Sequence, residues 1–203
     1  MQGTSDHEFR GGAPGKGFFG MKSFLLAHWV AGAGFMAAAL VALWPVVSLG
    51  WPAALSVLYL ALPAYMLHQV EEHAGDRFRR FVNTVVCGGR EGLTAEDVLW
   101  INIGGVWLVD LVAFYAARLI APGWGLTAVY LMLVNGISHV GGAVKFRGYN
   151  PGLVTSVILF LPLSAAALAV VPSSFGQHAL GLTASVAIHA GIIAHLRRRL
   201  ARA

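Results

Sequence analysis

The segment His68-Gln69-Val70-Glu71-Glu72-His73 places two imidazoles and two carboxylates within six positions. On a helix, residues three and four apart share a face, so His68 stands one turn from both Glu71 and Glu72. Histidine with carboxylate is a ligand set for zinc, iron or manganese. It is equally a proton-transfer pair. The competing reading is a helix end that turns polar at a membrane interface, its acids solvated or paired with Arg77 or Arg79.

Other polar residues recur at spacings that favour a site. Asn135 and His139 are four apart, share a helix face, and fall at the same expected depth as His68. Asn102 and, two turns deeper, Asp110 lie on one stripe of a third helix. Ionisable groups inside a membrane are costly and usually face the bundle interior or a water-filled cavity. Asp110 suits a helix–helix hydrogen bond as well as a functional role. In Gly148-Tyr149-Asn150-Pro151-Gly152, Asn-Pro and Pro-Gly signal a turn that starts a helix, and the Tyr149 hydroxyl is a candidate acid or hydrogen-bond donor.

Positioning these groups requires a scaffold. The 203 residues are 57% hydrophobic and only 11% charged, against about 25% charged in a soluble domain. Too little polar surface is left to solvate a globule, and the expected fold is all-α: a polytopic transmembrane helical bundle of about six spans. Apolar segments are expected at residues 23–49, 51–73, 97–120, 124–144, 151–171 and 177–196, each near the ~20 residues that cross a bilayer as a helix. Residues 1–22 read as a disordered polar tail, residues 23–203 as a single membrane domain, and 74–96 as a polar loop. With six spans, thirteen of the fourteen Lys and Arg residues fall on one side, Arg118 being the exception. The positive-inside rule makes that side cytoplasmic, with both termini there and the His–Glu cluster on the same face. The single cysteine, Cys87, excludes an intrachain disulfide and a thiolate metal framework.

The chain resembles the HXXEE domain family of bacterial integral membrane proteins. The resemblance rests on His68-Gln69-Val70-Glu71-Glu72, a further histidine at His139, and Tyr149-Asn150-Pro151-Gly152. It implies that these residues belong together, and places the chain in a bacterial cytoplasmic membrane. It implies no particular reaction.

Three function classes fit the residues. The first is a metal-dependent membrane enzyme, of oxidoreductase or hydrolase type, with a divalent metal (Fe, Zn or Mn) on His68, Glu71, Glu72 and His139 and with Asn102 or Asn135 in support. The second is a metal-free acid/base isomerase or cyclase in which Glu71 or Glu72 donates a proton with His68 or Asp110 as its partner and Trp107 stacks on a cationic intermediate, Tyr149 being a further candidate acid. The third is a proton or metal transporter, against which the position of the richest cluster near one face argues. The expected partners are membrane lipid, a small apolar or amphiphilic substrate and a further copy of the chain, not nucleic acid.

Overall fold

The computed structural model describes residues 16–202, the first four by their backbone alone. Residues 1–15, most of the expected tail, lie outside the described residues. Lys16 to Lys22, also read as tail, form the opening turns of the first helix, Lys16–Val47. That stretch keeps Phe and Met among its glycines, and continues the apolar helix without a break.

Six helical segments are long and apolar enough to cross a membrane: span 1 (Gly20–Val47), span 2 (Ala53–Val86), span 3 (Ala95–Leu119), span 4 (Pro122–Phe146), span 5 (Leu153–Val170) and span 6 (Phe175–Leu200). Among the described residues there is no strand. Helices meet the requirement that backbone groups in lipid bond within their own segment.

The largest departure from the sequence reading is at residues 74–96, expected to be a loop. The helix of span 2 breaks at Gly75 and Asp76, both at φ of 63°, and then resumes from Arg77 to Val86. Phe78, Phe81 and Val82 recur at helical spacing and pack with Leu93, Ile101 and Leu196. Arg79 turns back onto Asp76, donating from Nε at 2.9 and 3.0 Å. The segment is therefore an amphipathic helix whose arginines hid its apolar stripe.

Polar contacts fix which helix ends meet. Lys22 pairs with Glu96 at 2.6 Å. Asp97 takes Arg199 at 2.9 Å and His195 at 3.2 Å. Phe81 meets Phe146 edge-on at 5.6 Å. One end of the bundle thus gathers the starts of spans 1 and 3 with the ends of spans 2, 4 and 6. Reciprocal capping boxes, Thr94 with Asp97 and Ser174 with Gln177, start spans 3 and 6.

The core lies between spans 2, 3, 4 and 5, around Tyr65, Leu131, Met132 and Phe160. On span 3 the stripe Asn102, Val106, Asp110, Ala113 and Ala117 is buried, so both polar members of that stripe face the bundle interior. Span 1 lies on span 2 through Ala33 and Ala37 against Met66, small residues that allow close approach. Span 6 rests on span 4, where Ser185 Oγ donates to the Tyr130 carbonyl at 3.0 Å.

Asn83 stitches the turn between spans 2 and 3. Its Oδ1 accepts from Gly92 N (3.0 Å) and Leu93 N (2.9 Å), and its Nδ2 donates to Leu93 O (2.9 Å). Cys87 is buried in that turn, and burial pushes its thiol up from the ordinary value. Asn83→Ala should loosen the turn and lower the thiol toward its ordinary range. We expect Cys87 to react with a maleimide several-fold faster in the variant at pH 8; an unchanged labelling rate would show that Asn83 does not hold the turn.

Candidate metal centre

The two adjacent glutamates have separate fates, because successive helix residues point about 100° apart. Glu71 faces the start of span 5. Its Oε1 accepts from the Tyr149 hydroxyl (2.9 Å) and Val154 N (3.1 Å). Its Oε2 accepts from Thr155 N (2.7 Å) and Thr155 Oγ1 (2.5 Å). Four donors fill this carboxylate, and the unpaired N–H groups of a helix start are a natural anion seat. Glu71 therefore clamps the entry of span 5. Tyr149, half-exposed, belongs to the same clamp. Burial first, and then its carboxylate acceptor, push its phenol up, so it remains a donor.

Glu72 faces inward and is 5% exposed. Its Oε2 lies 3.6 Å from His68 Nε2 and 3.1 Å from His73 Nε2, and its Oε1 lies 3.5 Å from His139 Nε2. His68, Glu72 and His139 each offer a ligand atom, all within 4.8 Å of one another. Ligands around a tetrahedral zinc at ~2.1 Å are separated by ~3.4 Å. The two His–Glu separations within this triad are close to that edge.

Hydrogen bonding decides which ring nitrogen of each histidine is free. Thr155 has one hydroxyl proton and gives it to Glu71, so its oxygen accepts from His68 Nδ1–H at 2.8 Å. His68 Nε2 is left bare, and no protein group bonds it. Asn150 Nδ2 donates to the His139 carbonyl at 2.9 Å, which turns Asn150 Oδ1 toward His139 Nδ1 at 2.7 Å. That nitrogen must donate, so in the neutral ring the lone pair sits on His139 Nε2, 3.5 Å from Glu72 Oε1.

A one-way chain sets His73. The Trp107 indole can only donate, and it does so to Gln69 Oε1 at 2.6 Å. Gln69 Nε2 then donates to Asn102 Oδ1 at 2.9 Å. Asn102 Nδ2 donates to Val98 O at 2.8 Å and approaches His73 Nε2 at 3.2 Å. His73 Nε2 is an acceptor as well. The His68 and His139 Nε2 atoms thus converge on the Glu72 carboxylate, with the His73 ring held beside them by Asn102. Metal-bound histidines are held in this way, the far nitrogen donating to a neighbour that fixes the ring.

Gly152 lets the loop close over the rings. Its φ is +99°, and a Cβ there would sit 2.6 Å from His139 Cε1 and 2.8 Å from His68 Cε1. Phe160 stacks on His68 at 4.3 Å from below.

Other expected site residues lie outside the triad, although Asn102 and Asn135 line the cavity beside it. Asp110 is 2% exposed and neither carboxylate oxygen has a partner, but it is not in the His–Glu triad. Asn135 Oδ1 and the Tyr65 hydroxyl are likewise unpartnered. Asn102 supports His73 through its side-chain amide. Thr155, Asn150, His73 and Gln69 escaped the sequence reading as site residues. The only signal for any of them was position: Asn150 inside the Tyr-x-Pro-Gly stretch, and Gln69 and His73 inside the cluster segment.

A cavity of about 290 Å³ opens beside the centre, lined by Glu72, His73 and His139 and otherwise mainly by apolar side chains such as Phe78, Phe81, Val86 and Ile101. A second, of about 340 Å³, lies on the other side of His73 and Val98 and carries Asp76 and Arg79.

Fold and site together define a helical membrane protein with a buried histidine–carboxylate centre at one end of its bundle. The chain belongs to the family described as proteins of unknown function with HXXEE motif, whose family model matches residues 59–167. That range runs from the first half of span 2 into span 5, and holds every group of the centre. No curated protein and no solved structure matches the chain.

The clamp and the centre can be told apart by stability. Glu71→Ala orphans four donors, and should cost roughly 2–4 kcal/mol. Glu72→Ala in chelator-treated protein should cost less, because it removes a buried charge. Thermal unfolding in detergent, read as the midpoint of each variant, checks the order. Equal midpoints would remove the distinction between the two glutamates.

Proposed function

We propose that the protein is a metal-dependent membrane enzyme, of oxidoreductase or hydrolase type, acting on an amphiphilic or lipidic substrate. His68, Glu72 and His139 are the proposed ligands of a divalent metal (zinc, iron or manganese), with His73 beside them as a fourth donor or a proton carrier. The observation that carries this reading is the convergence on the buried Glu72 carboxylate of His68 Nε2, which no protein group bonds, and His139 Nε2, with His73 Nε2 3.1 Å from the same carboxylate. Acceptors so arranged repel each other unless a cation or protons sit among them. Nitrogen and oxygen donors without a thiolate suit these three metals. A metal bound there supplies Lewis acidity toward water or dioxygen.

The chain's own groups do the rest. Thr155 and Asn150 hold the imidazoles in register, Gly152 closes the loop above them, and Phe160 keeps water from the underside of His68. The apolar cavity beside Glu72 suits a hydrocarbon substrate entering from lipid. The charge distribution supports a site at the cytoplasmic face of a bacterial membrane, with both termini on that side.

The acid/base reading draws its support from Asp110, a buried carboxyl without a hydrogen-bond partner that lies outside the proposed ligand triad. Elemental analysis of detergent-purified protein separates the two readings. We expect close to one metal ion per chain, reduced at least fivefold in His68→Ala, His139→Ala and Glu72→Ala and retained in Asp110→Asn. Metal content indifferent to the two histidine substitutions would overturn the ligand assignment.

A further inference from the structure

The wall of the 290 Å³ cavity contributed by span 6 carries one polar side chain, His189, between Ile188 and Ile192. His189 Nδ1 lies 2.8 Å from the Ser185 carbonyl, one turn back on the same helix. A carbonyl only accepts, so Nδ1 is the protonated nitrogen and Nε2 is a bare acceptor. No group among the described residues donates to that Nε2. His189, Glu72 and His139 all line this cavity, so a molecule in it can touch this ring and the proposed metal centre together.

The charge of the lining is as informative as its shape. Thirteen of the fourteen Lys and Arg residues belong to the basic side of the chain. Among the described residues none of them lines this cavity. A phosphate or carboxylate head ordinarily meets Arg or Lys. Here it would meet the Glu72 carboxylate and neutral polar groups only, among them Asn135 and Ser138, with no cation to balance its charge. A neutral group that donates a hydrogen bond suits both Glu72 and the bare Nε2 of His189. At ~30 Å³ per water-sized group the cavity has room for roughly ten such groups, enough for most of a dodecyl chain.

We propose that His189 is a specificity-determining residue that accepts a hydrogen bond from the substrate, and that the substrate is an uncharged amphiphile: a hydrocarbon chain bearing a hydroxyl. The inference rests on the reading of Glu72, His68 and His139 as the reacting centre. It adds the opposite wall and the chemical class of the ligand.

The test uses full-length protein in detergent, captured on scintillation beads with tritiated 1-dodecanol. Unlabelled dodecanol, dodecanoate and dodecyl phosphate compete for the label at pH 8, and metal content is measured on the same preparations. We expect dodecanol to compete at concentrations at least tenfold lower than either anion. His189→Ala should weaken dodecanol about tenfold without changing metal content. His189→Gln, whose side-chain carbonyl still accepts, should recover part of the loss. Anions that compete as well as the alcohol, or a His189→Ala protein with unchanged affinity, would overturn the proposal. Metal-free wild-type protein that keeps the alcohol preference and the His189 effect would instead support it, while removing the metal reading alone.

Discussion

The carboxylate of Glu71 is the contact on which the centre depends. It sits at the start of span 5 and fills its four acceptor positions with two backbone N–H groups and two hydroxyls. Charge-assisted bonds of this kind are about twice as strong as neutral ones, and the helix start adds its own favourable field. The clamp fixes residues 149–155, and three properties of the centre follow from that stretch. Thr155 orients His68, Asn150 orients His139, and Gly152 allows the backbone to pass against both rings.

Two identical residues in sequence have opposite environments because a helix turns between them. Glu71 meets donors only. Glu72 meets the Nε2 atoms of three histidines on spans 2 and 4. One is filled by hydrogen-bond donors of span 5 and the loop before it, and the other is enclosed by imidazoles. The separation also divides the motif by task, since His68 contacts both sides: its Nδ1 reaches the clamp through Thr155, and its Nε2 faces the open centre.

Much of this was legible in the sequence. Hydropathy and the distribution of arginine and lysine indicated six membrane helices, and the family resemblance rested on residues that the structure brings to one end of the bundle. The helical repeat placed His68 and Glu72 on one face and His139 on a facing span. Adjacency misled at Glu71, because the repeat allows both i+3 and i+4 neighbours and only the packing of span 5 chooses between them. Thr155 was invisible for a different reason. A threonine within an apolar run carries no mark of function until its partner is known, and His68 lies 87 residues away in the chain. The amphipathic segment Arg77 to Val86 was hidden by its arginines, although Phe78, Phe81 and Val82 had the spacing of a packed helix.

The clamp also bears on how the protein is made. Synthesis proceeds from the N-terminus, so span 2 meets the bilayer before the residues that satisfy it exist. Glu71 waits for Tyr149, 78 positions later, and for the backbone of span 5 beyond it. During that interval span 2 holds two carboxylates and two imidazoles near its polar end without their final partners. Such groups are costly in lipid, and favour a helix held near the headgroups until the third hairpin arrives. Closure of the centre is therefore a late event in assembly. It depends on the order in which hairpins enter the membrane, and protein that stalls before span 5 would present the same motif with nothing yet organised around it.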